Sequence, residues 1–154
     1  MLEEDGAVVA ESTAILEYLE ERYPERPLYP LGEARRTELR LFVDWFNRVW
    51  KVPPNEIEAE LGKPAPNDAR IEELGAQMRA WLDWFERLLD GREYLLGEFS
   101  AADCAAYPFL KYARSRPEAD DERFHVVLEE HQPLTGHPRL EAWLERMAGR
   151  PGAS

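Results

Sequence analysis

Two stretches in which apolar residues recur every three or four positions constrain this chain most. In the first, from about Glu33 to Lys51, Leu39, Phe42, Val43, Phe46, Val49 and Trp50 fall on one helical face. In the second, from about Ala69 to Asp90, the same holds for Ile71, Leu74, Met78, Trp81, Phe85 and Leu88. Pro53-Pro54 stops the first and Gly91 stops the second. Two long amphipathic helices with facing stripes pack as an antiparallel pair around a shared core. The segment between them, residues 52–68, is rich in Pro and Asn and reads as a loop, with at most one turn from Glu56 to Leu61.

The rest of the chain arranges itself around that pair. Met1-Leu2-Glu3-Glu4 and Ala7-Val8-Val9-Ala10 read as two short strands joined at Asp5-Gly6, a turn pair. Glu11-Ser12-Thr13 opens a helix that carries Ile15, Leu16, Leu19 and Tyr23 on one side, and Pro24 ends it. Residues 24–32 hold three prolines and a glycine, a linker composition. A further helix starts at Ser100 and meets Pro108, which removes one backbone donor and predicts a kink. Residues 115–121 read as loop and Glu122 to Glu130 as a weaker helix. Pro138 begins the last helix, with Leu140, Trp143, Leu144 and Met147 in phase.

Charge and composition exclude several classes of function. Nineteen Lys and Arg against 31 Asp and Glu leave a net charge of -12 over 154 residues. Such a chain repels phosphate backbones and anionic lipid, and no basic cluster offsets the average. Nucleic-acid and membrane partners are therefore not expected. The acid excess reads as a solvated helical surface. No apolar run approaches the ~20 residues that a membrane-spanning helix needs. One cysteine allows no intrachain disulfide, which fits a reducing, cytoplasmic setting.

Four groups of residues carry candidate chemistry. Ser100-Ala-Ala-Asp103 has the form of a capping box, which employs the Asp103 carboxylate as a structural acceptor. Glu11-Ser12 stands at a helix start, where free amides and a partial positive charge suit a carboxylate. A Ser12 hydroxyl can donate to that carboxylate, and Glu11 can take an ammonium, so the pair suits the amino-acid end of a zwitterion; an ordinary helix cap is the alternative. Cys104 lies in the first turn of a helix but on an apolar stretch, and reads as a packed thiol rather than a nucleophile. His125, His131 and His137 are spaced six apart, with no pair on one helical face, so no metal site is expected.

Taken in order, these pieces resemble the cytosolic glutathione transferase family. Asp5-Gly6 and Glu11-Ser-Thr-Ala-Ile-Leu-Glu-Tyr-Leu-Glu-Glu-Arg-Tyr-Pro24 look like the end of its thioredoxin-like domain, and Leu28-Tyr-Pro30 like its linker. Tyr94-Leu-Leu-Gly97, Phe99-Ser-Ala-Ala-Asp103, Pro108, His137-Pro138, Trp143 and Arg150-Pro151 look like its helical domain. The resemblance implies a mostly α fold, a helical bundle over residues 33–154 preceded by a partial thioredoxin-like β-β-α fragment over 1–24 and a linker over 25–32. It implies that Glu11 and Ser12 hold the γ-glutamyl group of glutathione, as a substrate and without a metal. It makes Ser100 and Asp103 a folding cap, and it places the pocket for a small-molecule electrophile around Phe46 and Trp50. A homodimer is implied as well.

The resemblance lacks its front. The family's activating Tyr, Ser or Cys sits in a strand-helix-strand segment that has no counterpart here, so no catalytic residue is assigned. Met1-Leu2 would directly follow the family's cis-proline. The expectation is a truncated reading of a longer gene, with little turnover by this chain alone; the alternatives are a non-catalytic helical association module and an inactive truncated product.

Overall fold

Both apolar stripes form helices, and they pack against each other through aromatic rings. The structure is a computed structural model that describes residues 2–4, 7–9 and 12–151. Strands β1 (Leu2–Glu4) and β2 (Ala7–Val9) pair antiparallel, with Leu2 opposite Val9 and Glu4 opposite Ala7. The expected Asp5-Gly6 turn lies outside the described residues. Helix α1 (Ser12–Arg22) follows, then α2 (Glu33–Trp45), α3 (Val52–Leu61), α4 (Asp68–Leu88), α5 (Ala101–Leu110), α6 (Arg123–His131) and α7 (Pro138–Ala148). The fold is thus mostly helical, a bundle preceded by a β-β-α segment.

Three local expectations need correction. The Pro-rich stretch after Lys51 is largely helix, not loop. Pro53 and Pro54 occupy the first turn of α3, where a missing N–H leaves no bond unmade. Both prolines and Ile57 are buried, and α3 packs along α4, so tertiary burial holds a helix that local composition argued against.

The second correction concerns the end of the first long helix. Residues Phe46–Trp50 form a π-helical turn, in which the amide of Lys51 donates to the carbonyl of Phe46 at 3.2 Å. The extra residue in that turn shifts the helical register. Trp50 is carried into the core at 1% exposure, whereas Val49, expected on the apolar stripe, is 44% exposed.

The third concerns Phe46 and Trp50, expected to line a ligand pocket. Their rings stack on each other at 4.4 Å with an interplanar angle of 9°, and they are 0% and 1% exposed. Phe42, Phe85 and Phe109 surround them. Rings packed in this way belong to the core of this structure.

The linker is built into the structure. Glu20, on α1, accepts from the amides of Leu28 (2.7 Å) and Tyr29 (3.2 Å) and from Arg36 Nη2 (2.8 Å). The carbonyl of Leu28 accepts from the amide of Ala101 at 2.8 Å. Tyr29 is buried. These contacts lock α1 against α2 and against the start of α5, and so fix the walls of the cleft between them.

Candidate functional site

The polar residues of α2 and its π-helical extension recur at helical spacing, as the apolar ones do. Arg40, Asp44, Asn47 and Lys51 line one wall of a cleft of about 610 Å³. Thr13 and Glu17, from the first turns of α1, line the opposite wall, and Tyr29 and Val43 form the rest. The Nδ2 of Asn47 donates across the cleft to Thr13 Oγ1 at 3.2 Å. The cleft therefore opens beside the start of α1, where the sequence placed a zwitterion-binding pair. Glu11 lies outside the described residues, and so does the side chain of Ser12, whose backbone opens α1.

The cleft walls carry three cations and two acids, but the charges are unevenly matched. Arg48 Nε lies 2.6 Å from Asp44, and Arg40 Nε lies 4.0 Å from Glu17. Lys51 sits instead over aromatic faces, with Nζ 4.1 Å from the ring centre of Phe109 and 5.8 Å from that of Phe46. Such a seat stabilises an ammonium by about 0.5–2 kcal/mol. Burial nevertheless holds the Lys51 ammonium below the usual lysine range. The Tyr29 hydroxyl shifts the other way: burial first, and then Glu17, resist its ionisation.

The lone thiol is not primed as a nucleophile. The Cys104 thiol is pushed up to about 11, by burial and then by Asp103. This agrees with its reading as a packed thiol. Ser100 and Asp103 form the expected capping box at the start of α5. The Asp103 carboxylate accepts from Ser100 N at 3.0 Å and also from Leu95 N at 3.0 Å and Trp143 Nε1 at 2.8 Å. It is fully buried and committed to structure.

Two other groupings emerge only in three dimensions. Asp120, Glu122 and His125 place their ligating atoms within 4.8 Å of one another. Those atoms bond mainly to each other: His125 Nδ1 lies 2.9 Å from Asp120 Oδ2 and 3.0 Å from the Tyr112 hydroxyl, and the Tyr112 ring stacks on the imidazole at 4.3 Å. A second cavity of about 590 Å³ lies between α2 and α4, lined by Leu41, Phe42, Trp45, Trp81, Trp84 and Leu88 with Glu38 and Arg87 beside them. It is the more apolar of the two cavities, and Leu41 there is 66% exposed.

The apolar stripes did not reveal Tyr29, Arg40, Asn47 or Lys51. The signal that could have found the last three is the complementary polar stripe at positions 40, 44, 47 and 51.

Comparison with known proteins agrees with this architecture. The family model for the glutathione S-transferase C-terminal domain matches residues 68–146, and that for the N-terminal domain matches residues 1–27. The chain belongs to the glutathione S-transferase family. Among curated relatives, it is 35% identical over 111 residues to FtsZ-localized protein A of Caulobacter vibrioides, covering 67% of this chain and 49% of that protein. It is 28% identical over 155 residues to glutathione S-transferase L3 of Arabidopsis thaliana, covering 95% of this chain and 54% of that protein. A solved relative is the theta class glutathione S-transferase of Xanthomonas axonopodis with glutathione bound, at a TM-score of 0.66 and 26% identity, covering 95% of this chain and 71% of that one. The chain spans about half the length of the curated relatives it matches.

Proposed function

We propose that this chain supplies part of a glutathione site and the helical domain of a protein that conjugates glutathione to small electrophiles, or isomerises or reduces them. The observation that carries this reading is the cleft at the start of α1, whose Thr13 and Glu17 lie in the segment matched by the N-terminal family model. Glutathione is a zwitterion at its γ-glutamyl end. The free amides at the start of α1 suit its carboxylate, Ser12 can donate to the same group, and Glu11 suits its ammonium. The electrophile then occupies the cleft between α1 and the wall of Arg40, Asn47 and Lys51. That the Xanthomonas relative was solved with glutathione bound supports the choice of ligand. The single thiol supports a reducing, cytoplasmic setting.

Isothermal calorimetry with glutathione tests the reading. Binding is expected, and Ser12→Ala should weaken it about tenfold by removing one charge-assisted hydrogen bond. Absence of binding would refute it. Turnover of a chlorinated aromatic by this chain alone should be slight, because neither Cys104 nor Tyr29 offers an ionised activator.

The apolar groove between α2 and α4 favours a second role, association with a like chain as a homodimer. Glu38 and Arg87 flank its aromatic rings. One charge of each sign beside an apolar groove suits the self-complementarity that a two-fold interface requires. A purely associative module would keep this groove without using the cleft.

A further inference from the structure

Lys51 lacks the acidic partner that the other cations of the cleft have. Burial is the sole cause moving its pKa, and it forms no ion pair among the described residues. The two acids of the cleft are already engaged, Asp44 by Arg48 at 2.6 Å and Glu17 by Arg40 at 4.0 Å. A half-buried charge without a counter-ion is destabilising, and aromatic faces offset it only in part. Such groups persist where a ligand completes them. Lys51 also follows directly on the π-helical turn, whose wide hydrogen bond from Lys51 N to Phe46 O fixes its backbone at the end of the cleft wall. Turns of this kind break an otherwise regular helix and recur at functional sites.

We infer that Lys51 receives the carboxylate of the second substrate, so that small carboxylic acids with an apolar body are the substrate class of this cleft. The volume of about 610 Å³ accommodates a bicyclic acid. The net positive lining, Arg40, Arg48 and Lys51 against Glu17 and Asp44, favours an anion in a chain whose overall charge is -12. The assignment rests on reading the cleft as the pocket beside glutathione, but binding of the acid does not require glutathione to be present.

The test is calorimetry with naphthalene-1-carboxylate and the isosteric naphthalene-1-carboxamide, on the full chain. The acid should bind about tenfold more tightly than the amide. Lys51→Met should erase that preference, and Lys51→Arg should keep it. Glutathione affinity, titrated separately, should stay within about twofold in Lys51→Met. Equal affinity for acid and amide in the unmodified chain, or binding of neither, would overturn the inference, and this arm needs no variant. So would a preference that survives Lys51→Met. A parallel loss of glutathione affinity in Lys51→Met would also overturn it, by making Lys51 part of the tripeptide's seat. If the unmodified chain prefers the acid but does not bind glutathione, the glutathione reading fails while Lys51 keeps its role.

Discussion

Four donors converge on one carboxylate at the centre of this molecule: Leu95 N, Ser100 N, Ser100 Oγ and Trp143 Nε1 all point at Asp103. Burial pushes the pKa of this carboxyl up, while the donors pull it back. Asp103→Ala would leave three buried N–H groups without an acceptor, and it should destabilise the fold by about 3–5 kcal/mol in urea unfolding. Trp143→Phe keeps the carboxylate but removes one donor, and should cost only about 1 kcal/mol. Glu86 plays the same part elsewhere, accepting from Arg139 N (3.0 Å) and Leu140 N (2.9 Å) at the start of α7. The acid excess reads in the sequence as a solvated surface, and most of it is exposed. Asp103, Glu86, Glu60 and Glu20 are exceptions among the described residues, and each is held by backbone amides. The capping box was legible because its four residues are consecutive. The reach of Glu86 to α7 was not, since 53 positions separate the partners.

At the scale of elements, two helices depart from what their own residues prefer. One is the π-helical turn that buries Trp50 and exposes Val49. A period count assumes regular 3.6-residue turns, and a single extra residue defeats it. The other is α4, which holds Gly75 in its interior although Gly is a poor helix former. The reason lies in α6: a Cβ at Gly75 would stand 2.5 Å from His131 Nδ1. Burial also holds the His131 pKa low, as a tightly packed imidazole requires. Gly75→Ala should therefore destabilise by about 1–2 kcal/mol despite its gain in helix propensity. In a His131→Ala background the same substitution should stabilise by about 0.5–1 kcal/mol. Thermal unfolding of the four combinations closes the cycle, and an unchanged sign in both backgrounds would show that the ring is not the obstacle.

At the scale of the whole molecule, the groove between α2 and α4 leaves apolar surface open among the described residues. Trp45 and Trp84 approach within 4.9 Å there, and Leu41 stands largely in water. The homodimer proposed on this face predicts twice the mass of one chain in light scattering. Leu41→Asp should return the monomer without loss of helical signal, because the exposed side chain supports no core contact. A dimer that persists in Leu41→Asp would place the interface elsewhere.

By itself the sequence determined which face of each long helix is apolar, where most of the helices stop, and the cap that starts α5. These properties reside in residues a few positions apart, and local periodicity and capping chemistry report them directly. Only the tertiary structure decided that Phe46 and Trp50 are core, that the Pro53-Pro54 segment is helix, and that Asn47 meets α1 across a cleft that Lys51 also lines. Each of these depends on packing between elements far apart in the chain, where burial outweighs local preference.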